Sequence, residues 1–481
     1  MKNINIILYA FLSFVLTLGC TKDFEELNES PNRSSEVPAH LLLGYTQRNF
    51  VNTIYNVQAG GDMGEGWAQH WSKVQYNDEA RYVPRRGVID GIYSNIYSLT
   101  ISEAKAMYEL AELDENTNLQ GISLVMQAIG YQTLVELYGP VPFTESIDIG
   151  NSQPAYDDES IIFEGIIQML TDAASFLSNG SGSLTGSSDL FYGGDTSKWL
   201  KLANSLKFRA LMRISSTKSV GTELQAIVNA GNIFEGNSDN AQLTYLAAAP
   251  DANPIWETIE DGSRPEYKIS SVLVELMTSL NDTRLAVYAS PADSDGEIRG
   301  KPPGYGNQTP LPNENLGYTY ANISGLGEFY LNPELPGIVM SYSQLNFLMA
   351  EAANKGYISG GISAANNYYN QGISASFAAN NLDATTYLTQ DGISFTTQSD
   401  GATKIATQQW IALFGQGFES WTEWRRTKLP VLAPVIEGDI NQIPSRLYYS
   451  TLLPSLNSVN YEAAASRIGG DLLTSTLIWQ Q

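Results

Sequence analysis

Apolar residues recur every three or four positions along much of this chain, and this spacing limits its possible folds. The alternation of apolar and polar residues that is typical of strands is scarce. This spacing predicts amphipathic helices. One such helix is predicted to stop at Gly139-Pro140-Val141-Pro142. The strongest apolar stripes run through Leu119–Leu137, Ile162–Leu177, Trp199–Ala210, Leu345–Ile373 with a break at Gly356, and Trp410–Trp421. The sequence therefore predicts an all-α protein.

Two predicted helix–turn–helix pairs, at about 117–177 and 340–378, resemble tetratricopeptide-like units in form. The period of about 34 residues that defines such repeats is not kept. Between the pairs, residues 245–335 are rich in Pro, Gly, Asn and Tyr. So long an irregular stretch in a compact body is usually functional or disordered. We expect tetratricopeptide-like helix pairs packed as one compact body over residues 39–481, with a large loop-rich face.

The N-terminus reads as an export signal. Lys2 precedes a short apolar run, 4–18, and Gly19 precedes Cys20, the only cysteine in the chain. We predict that residues 1–19 are a signal peptide, that Cys20 is lipidated, and that residues 20–38 are a tether. Thr17 departs from the usual motif, which prefers Leu, and the alternative is a chance cysteine beside an ordinary signal. With no second thiol, the mature protein must be stabilised by its core rather than by disulfides.

The charge balance argues against some ligand classes. Acidic residues outnumber Lys and Arg by 51 to 27, for a net charge of −24. This argues against nucleic acid and against binding through a basic surface. Only 16% of residues are charged, whereas the chain has 27 Tyr, 16 Phe and 8 Trp. A neutral polar surface with many aromatic rings suits neutral polar ligands such as sugars, although a large aromatic core explains the same composition.

The first candidate ligand site lies in residues 60–97. Four glycines between positions 60 and 66 adjoin Trp67 and Trp71, and Tyr76 and Tyr82 follow. A sugar needs such neighbours, because its C–H face stacks on an aromatic ring while its hydroxyls bond to polar groups. Trp67 and Trp71 are four positions apart and would share one face of a helix. The alternative is that the two indoles are a core pair.

The second candidate ligand site lies in the irregular stretch. Tyr305, Tyr318, Tyr320 and Tyr330 occur there, with Asn307, Asn315 and Asn322 nearby. Rings on glycine-rich loops are less easily explained as core than rings on helices. We therefore predict that Tyr305, Tyr318 and Tyr320 contact ligand.

Nothing in the sequence identifies a catalytic residue, a metal site or a cofactor. Only two histidines occur, and no nucleophile elbow, Walker loop or dinucleotide fingerprint is present. A glycosidase carboxylate pair is compatible with 51 acidic residues, but the context singles out no pair. Two acidic clusters precede predicted helices and are expected on the solvated surface. They are Asp157-Asp158-Glu159, and Glu112 with Asp114 and Glu115.

Two helical segments combine Trp with Arg and are expected to be structural. Trp199, Asn204, Arg209 and Arg213 lie on one predicted helix, where the arginines would pair with acids in a loop. In Trp421-Thr422-Glu423-Trp424-Arg425-Arg426, the spacing places Trp and Arg on one face. A guanidinium over an indole would stabilise that face.

Several segments, in order along the chain, resemble the SusD/RagB family of outer-membrane nutrient-binding lipoproteins of Bacteroidetes. The segments are Cys20 with its following acidic residues, Val135-Glu136-Leu137-Tyr138-Gly139-Pro140-Val141-Pro142, Trp199 with 202–207, Arg209 and Arg213-Ile214, Asn281-Asp282-Thr283-Arg284, Tyr342 to Ala353 with Ala350-Glu351-Ala352, and Trp421 to Arg426. No single segment is specific, but their shared order behind a lipoprotein signal is.

The resemblance implies a non-catalytic lipoprotein of the outer membrane, facing the cell surface. Such a protein would bind an oligosaccharide, less often a peptide, and pass it to a SusC-like TonB-dependent β-barrel. Two alternatives stay open. A lipid-anchored glycoside hydrolase would release reducing ends from the glycan it binds, and an accessory subunit of the transporter would touch no ligand.

Overall fold

The computed structural model describes residues 38–306 and 317–480, and helices account for most of them. Cys20, the predicted signal peptide and the tether up to residue 37 lie outside the described residues, as do Asn307 and Asn315. The α-helices are α1 Ala39–Tyr55, α2 Arg86–Asn95, α3 Ser102–Leu113, α4 Thr117–Tyr138, α5 Glu159–Ser178, α6 Thr196–Arg213, α7 Gly221–Ala230, α8 Pro254–Trp256, α9 Ser271–Ser279, α10 Leu285–Tyr288, α11 Tyr342–Asn354, α12 Gly361–Ala379, α13 Thr385–Leu388, α14 Gln398–Ala412, α15 Gly417–Thr427, α16 Leu453–Leu456 and α17 Ser458–Arg467. Three π-helical stretches are Val57–Glu65, Ile96–Ile101 and Glu257–Asp261.

The long helices begin at capping side chains. The Asn116 side-chain oxygen accepts a hydrogen bond from the Leu119 N–H (3.0 Å) at the start of α4. Asp195 caps α6 and Ser341 caps α11 in the same manner. The predicted stop after α4 is confirmed, because Gly139 adopts φ +84° directly after Tyr138 and Pro140 follows.

Helix pairs build the body, as predicted. Helix α5 packs between α4 and α6, and α11 pairs with α12 while α14 packs on both. At Gly121 of α4, a Cβ atom would lie 2.9 Å from the Leu177 side chain, so the close approach of α4 to α5 requires glycine. By length and composition α5 could also cross a membrane, but Phe163 and Leu170 on it are fully buried in this packing. The structure thus confirms the all-α class.

Strands are few and short in the described residues. Strand β1 (Trp71–Lys73) pairs antiparallel with β3 (Tyr267–Ile269), and Trp71 lies opposite Ile269. Strand β2 (Ala241–Leu243) pairs antiparallel with β4 (Gly337–Met340). The first ladder therefore connects residues 71–73 to the irregular stretch that was predicted to carry ligand, whereas the second joins the segments on either side of that stretch.

One continuous core extends from Ala39 in α1 to Trp479 near the C-terminus. Among the largest fully buried side chains are six tryptophans, Trp67, Trp71, Trp199, Trp410, Trp421 and Trp479. Ala39–Gln481 form one compact unit. Most of the tryptophans of this chain therefore contribute to packing rather than to a surface.

A buried charge network joins α4, α6 and α15. Arg213 pairs with Glu136 (2.7 Å), Glu419 (2.5 Å) and Glu423. The Arg425 guanidinium lies 3.7 Å from the centre of the Trp421 ring. The structural role predicted for these arginines is confirmed, but the expected loop location of their partners is wrong, because all three glutamates lie on helices. Three packed helices can enclose the charges from all sides, which a solvated loop cannot do.

Candidate functional site

Three of the predicted site residues lie in the core. The Trp67 Nε1–H donates to the Glu79 carbonyl (2.8 Å), and its ring packs edge-on against Trp421, with centroids 4.9 Å apart. Trp71 lies on β1 rather than on a helix with Trp67, and its ring contacts Tyr267 and Phe414. The Tyr82 hydroxyl accepts a hydrogen bond from the Val435 N–H (3.0 Å). These rings are at most 2% exposed and present no face to a ligand in this structure.

The glycine cluster before Trp67 has a packing role. Gly64 and Gly417 meet backbone to backbone: a Cβ on Gly64 would lie 2.4 Å from the Gly417 carbonyl carbon, and a Cβ on Gly417 would lie 2.0 Å from the Gly60 oxygen. The close approach inferred from the glycines is therefore made to the start of α15. Gly417 is remote in sequence from Gly64. The glycine cluster, considered locally, therefore resembled a ligand-binding loop.

The polar side chains of the same segment are also engaged within the protein. Asp62 pairs with Lys73 (3.0 Å) and Arg85 (2.7 Å). The Glu65 carboxylate lies 2.9 Å from His70 Nδ1, and burial raises the pKa of Glu65 although His70 opposes the rise. This chemistry stabilises the fold around the two tryptophans.

The other four predicted residues come together on one surface. Val74, directly after β1, packs with Tyr318 and Ile323, and Tyr305 and Tyr320 pack against this small cluster. The Tyr320 hydroxyl donates to the Gln75 side-chain oxygen (2.6 Å), and Tyr76 follows Gln75. We call Tyr76, Tyr305, Tyr318 and Tyr320 the tyrosine surface. It combines members of both candidate sites, because β1 and β3 bring the two stretches together.

Ring exposure differs across the tyrosine surface. Tyr76 is 55% exposed, Tyr305 and Tyr320 are half-buried, and Tyr318 is buried beneath them. The rings of Tyr305 and Tyr318 lie 5.7 Å apart, tilted by 58°. Tyr76 has a left-handed backbone with φ +57°, which is uncommon for a residue with a bulky side chain and often marks a functional position. The arrangement offers one exposed ring beside two partly accessible ones.

Cationic side chains position this surface, and no pattern in the sequence had indicated them. Lys301 donates to the Tyr305 carbonyl (2.7 Å) and Lys268 to the Tyr320 carbonyl (2.8 Å). Burial lowers the pKa of Lys301 to about 8 and also lowers that of Lys268. The Arg264 guanidinium lies 5.6 Å from the centre of the Tyr76 ring and pairs with Glu266 (2.5 Å). The backbone of the tyrosine surface is thus held by buried donors.

One member of the cluster Asp157-Asp158-Glu159 is not on the solvated surface that the sequence predicted. Glu159 is 3% exposed, and its carboxylate accepts a hydrogen bond from the Ile478 N–H (3.0 Å). Burial raises the pKa of Glu159 to about 8, against the opposing effects of that hydrogen bond and of Arg446. The expectation of a solvated surface was wrong for this residue, because the C-terminal segment covers the start of α5. Glu112, Asp114 and Glu115 are exposed, as expected.

In the described residues, no group of three or more His, Cys, Asp or Glu side chains is placed to hold a metal ion. The chemistry available at the tyrosine surface is that of aromatic faces, phenol hydroxyls, one amide and one guanidinium. Such groups stack on and hydrogen-bond to a ligand.

The fold is that of a helix-pair protein whose short strands bring aromatic loops to one surface. Comparison with known proteins identifies its family. A family model named SusD-like and described as "Starch-binding associating with outer membrane" matches residues 31–450. The chain belongs to this SusD-like family, which confirms the resemblance seen in the sequence. No curated protein matches it.

Solved structures agree in fold over nearly the whole chain. A chitin-binding protein is 25% identical and superposes with a TM-score of 0.81, covering 92% of this chain and 100% of its own. A SusD homolog from Bacteroides uniformis gives 21% identity and a TM-score of 0.80, covering 92% and 99%. A chitin-binding SusD homolog from Flavobacterium johnsoniae gives 20% and 0.78, again covering 92% and 99%. The last two show the fold alone.

Proposed function

We propose that this chain is a non-catalytic, surface-exposed lipoprotein that binds an oligosaccharide nutrient and delivers it to a SusC-like TonB-dependent outer-membrane transporter. The observation that carries the proposal is the convergence of Tyr76, Tyr305, Tyr318 and Tyr320 on one surface. Membership in a starch-binding, outer-membrane-associated family and a chitin-binding structural relative support the saccharide class.

The proposed contact is stacking of sugar rings on tyrosine faces. Tyr76 supplies the most exposed face, and Tyr305 and Tyr320 supply the partly exposed ones. The phenol hydroxyls, the Gln75 amide and the Arg264 guanidinium are in place to hydrogen-bond to sugar hydroxyls. Each stacked ring contributes about 1 kcal/mol beyond the area it buries. An extended oligosaccharide that spans several rings would therefore bind better than a single sugar.

The binding test uses residues 21–481 in affinity electrophoresis through gels containing amylopectin, glycol chitin, or an acidic or sulfated glycan. We expect one glycan to retard the protein, and Tyr76→Asn/Tyr320→Ala to weaken that binding roughly 30-fold, at about 1 kcal/mol per ring. Asn is chosen at position 76 because it tolerates the left-handed backbone. The matched control is Tyr45→Asn, which removes a 48%-exposed tyrosine from α1.

Three results would contradict parts of this proposal. Retardation that survives in the folded double variant would remove the tyrosine surface from the site. Release of reducing ends from the bound glycan would indicate a glycoside hydrolase. Absence of binding to every glycan would direct the search to peptides, or to an accessory subunit that touches no ligand.

Anchoring has a separate test in the full-length chain. We expect Cys20→Ser to abolish incorporation of labelled palmitate and to release the protein from the outer-membrane fraction, because Cys20 is the only thiol available for acylation. The wild-type chain should co-purify with a β-barrel transporter after mild solubilisation. Membrane retention of the Cys20→Ser protein without label would contradict the lipoprotein assignment.

A further inference from the structure

Tyr330, the fourth tyrosine of the irregular stretch, does not join the tyrosine surface. It lines a cavity of about 320 Å³ with Tyr55, Phe329 and Phe414. The walls come from the end of α1, strands β2 and β4, the C-terminal end of α12 and the turn between α14 and α15. The cavity and the tyrosine surface share no residue, so they are separate features of the fold.

The aromatic walls of the cavity are held in fixed positions. The Tyr330 ring meets Phe414 edge-on with centroids 4.7 Å apart, and its hydroxyl donates to the Asn380 side-chain oxygen (2.9 Å). The Tyr55 hydroxyl accepts from the Ile338 N–H (2.7 Å) and donates to the Ile338 carbonyl (3.3 Å). Phe414 stacks face to face on Tyr288, with centroids 4.3 Å apart, so it closes the cavity wall, and Tyr55, Phe329 and Tyr330 supply the remaining aromatic lining.

Two acceptor atoms of the lining residues lack a protein donor. The side-chain oxygens of Asn237 and Gln416 are shielded from solvent and accept no hydrogen bond from the described residues. The Asn237 amide nitrogen donates to the Ala375 carbonyl (2.9 Å), which fixes the orientation of that amide. Gln416 is 8% exposed. An unsatisfied buried acceptor costs about 1–3 kcal/mol, so donors from outside the chain would be bound favourably here.

The chemistry of the residues that line the cavity indicates which class of ligand could bind there. The side chains that line the cavity include Asn237, Gln242 and Gln416 beside the aromatic rings, and none of the lining residues is charged. An ionic guest would therefore lack a counter-charge. A cavity of this size falls within the range of small-molecule sites. Hydroxyl donors on a compact ring with apolar C–H faces would satisfy both the acceptors and the aromatic walls.

We propose that this cavity binds a small neutral polyhydroxylated molecule, a monosaccharide or disaccharide, independently of the tyrosine surface. The ligand hydroxyls bond to the amide side chains of Asn237, Gln242 and Gln416, and its apolar face packs on the lining rings of Tyr55, Phe329 and Tyr330. The exposed Ala378, near the end of α12, lies at the cavity and gives access for a blocking substitution.

The test is saturation-transfer NMR on residues 21–481 with glucose, N-acetylglucosamine and N,N′-diacetylchitobiose at millimolar concentrations. We expect saturable transfer to at least one of these sugars. Ala378→Trp should abolish it by filling the cavity, and Gln416→Met, which keeps the side-chain volume, should weaken it roughly tenfold. Asn367→Trp, at an exposed position of the same helix, is the control and should leave the transfer unchanged.

The tyrosine-surface variant separates this proposal from the proposed function. Tyr76→Asn/Tyr320→Ala should keep the small-sugar signal while it loses the oligosaccharide. No transfer to any of the three sugars, or transfer that Ala378→Trp leaves intact, would overturn the cavity proposal and leave a cavity that holds only water. Loss of the signal in the tyrosine variant would likewise place the small sugar on the tyrosine surface instead.

Discussion

At the scale of single residues, the same side-chain type takes opposite roles within a few positions. Trp71 and Tyr76 are five positions apart, yet Trp71 is 2% exposed and Tyr76 is 55% exposed. The change occurs at the end of β1, where the chain leaves the ladder with β3 and adopts a left-handed turn at Tyr76. The sequence therefore shows that an aromatic ring is present, whereas the position at which the strand ends decides whether a ligand can reach that ring.

Glu159 gives a residue-scale prediction about pH. Because burial raises its pKa from 4.5 to about 8, the folded chain keeps a proton that the unfolded chain has already lost between those values. The contribution of Glu159 to the free energy of unfolding therefore falls as pH rises from about 4.5 to about 8. We expect Glu159→Gln to match the wild type near pH 4 and to become progressively more stable than it up to about pH 8, then level off.

Urea unfolding across that pH range measures the effect, with Asp114→Asn as the exposed control. Gln retains an oxygen that can accept the Ile478 N–H, so the comparison isolates the charge. A constant difference between Glu159→Gln and wild type at all pH values would contradict the prediction.

At the scale of elements, glycine determines how closely two segments pack. The π-helical stretch Val57–Glu65 lies against the start of α15, and the contact is backbone on backbone at Gly64 and Gly417. Backbone atoms cannot move aside as a flexible side chain can. The same contact leaves the following Trp67 in the core beside Trp421. This packing, rather than ligand access, explains the glycine cluster.

We expect Gly417→Ala to lower the free energy of unfolding by about 1–3 kcal/mol or more, because the new Cβ would lie 2.0 Å from the Gly60 oxygen and 2.5 Å from the Glu65 nitrogen. The matched control is Gly87→Ala in α2, where no atom lies within 4 Å of the added Cβ. That substitution should instead stabilise the helix by about 1 kcal/mol. Chemical denaturation of both variants measures the contrast, and equal effects would contradict it.

At the scale of the whole molecule, one core links the first described helix to the C-terminus. Trp479 is fully buried, and its ring lies 4.9 Å from the Arg425 guanidinium and 6.0 Å from that of Arg213. The C-terminal segment therefore covers the charge network that joins α4, α6 and α15. Unfolding of the C-terminal segment would expose buried charges that three helices from separate parts of the chain contribute.

We therefore expect residues 21–481 to unfold in one cooperative transition. Trp479→Ala should lower its midpoint by removing about 3–5 kcal/mol of packing without splitting it. Scanning calorimetry measures both effects, and Val459→Ala, which truncates a 78%-exposed side chain, is the control. Two resolved transitions in the wild type would contradict the single-core description.

The helices, their pairing and the family could be predicted from the amino-acid sequence, because apolar spacing, capping residues and the family's segments are all local patterns. Tyr76, Tyr305 and Tyr320 were also predicted as ligand contacts, but in two separate sites, because the sequence could not show that β1 and β3 bring them together. The folded chain was needed to show that Trp67, Trp71, Tyr82 and Glu159 are buried and that Tyr330 lines a separate cavity. Burial depends on what packs against a residue, and here Gly417, Val435 and Ile478 come from parts of the chain that no local pattern connects to those positions.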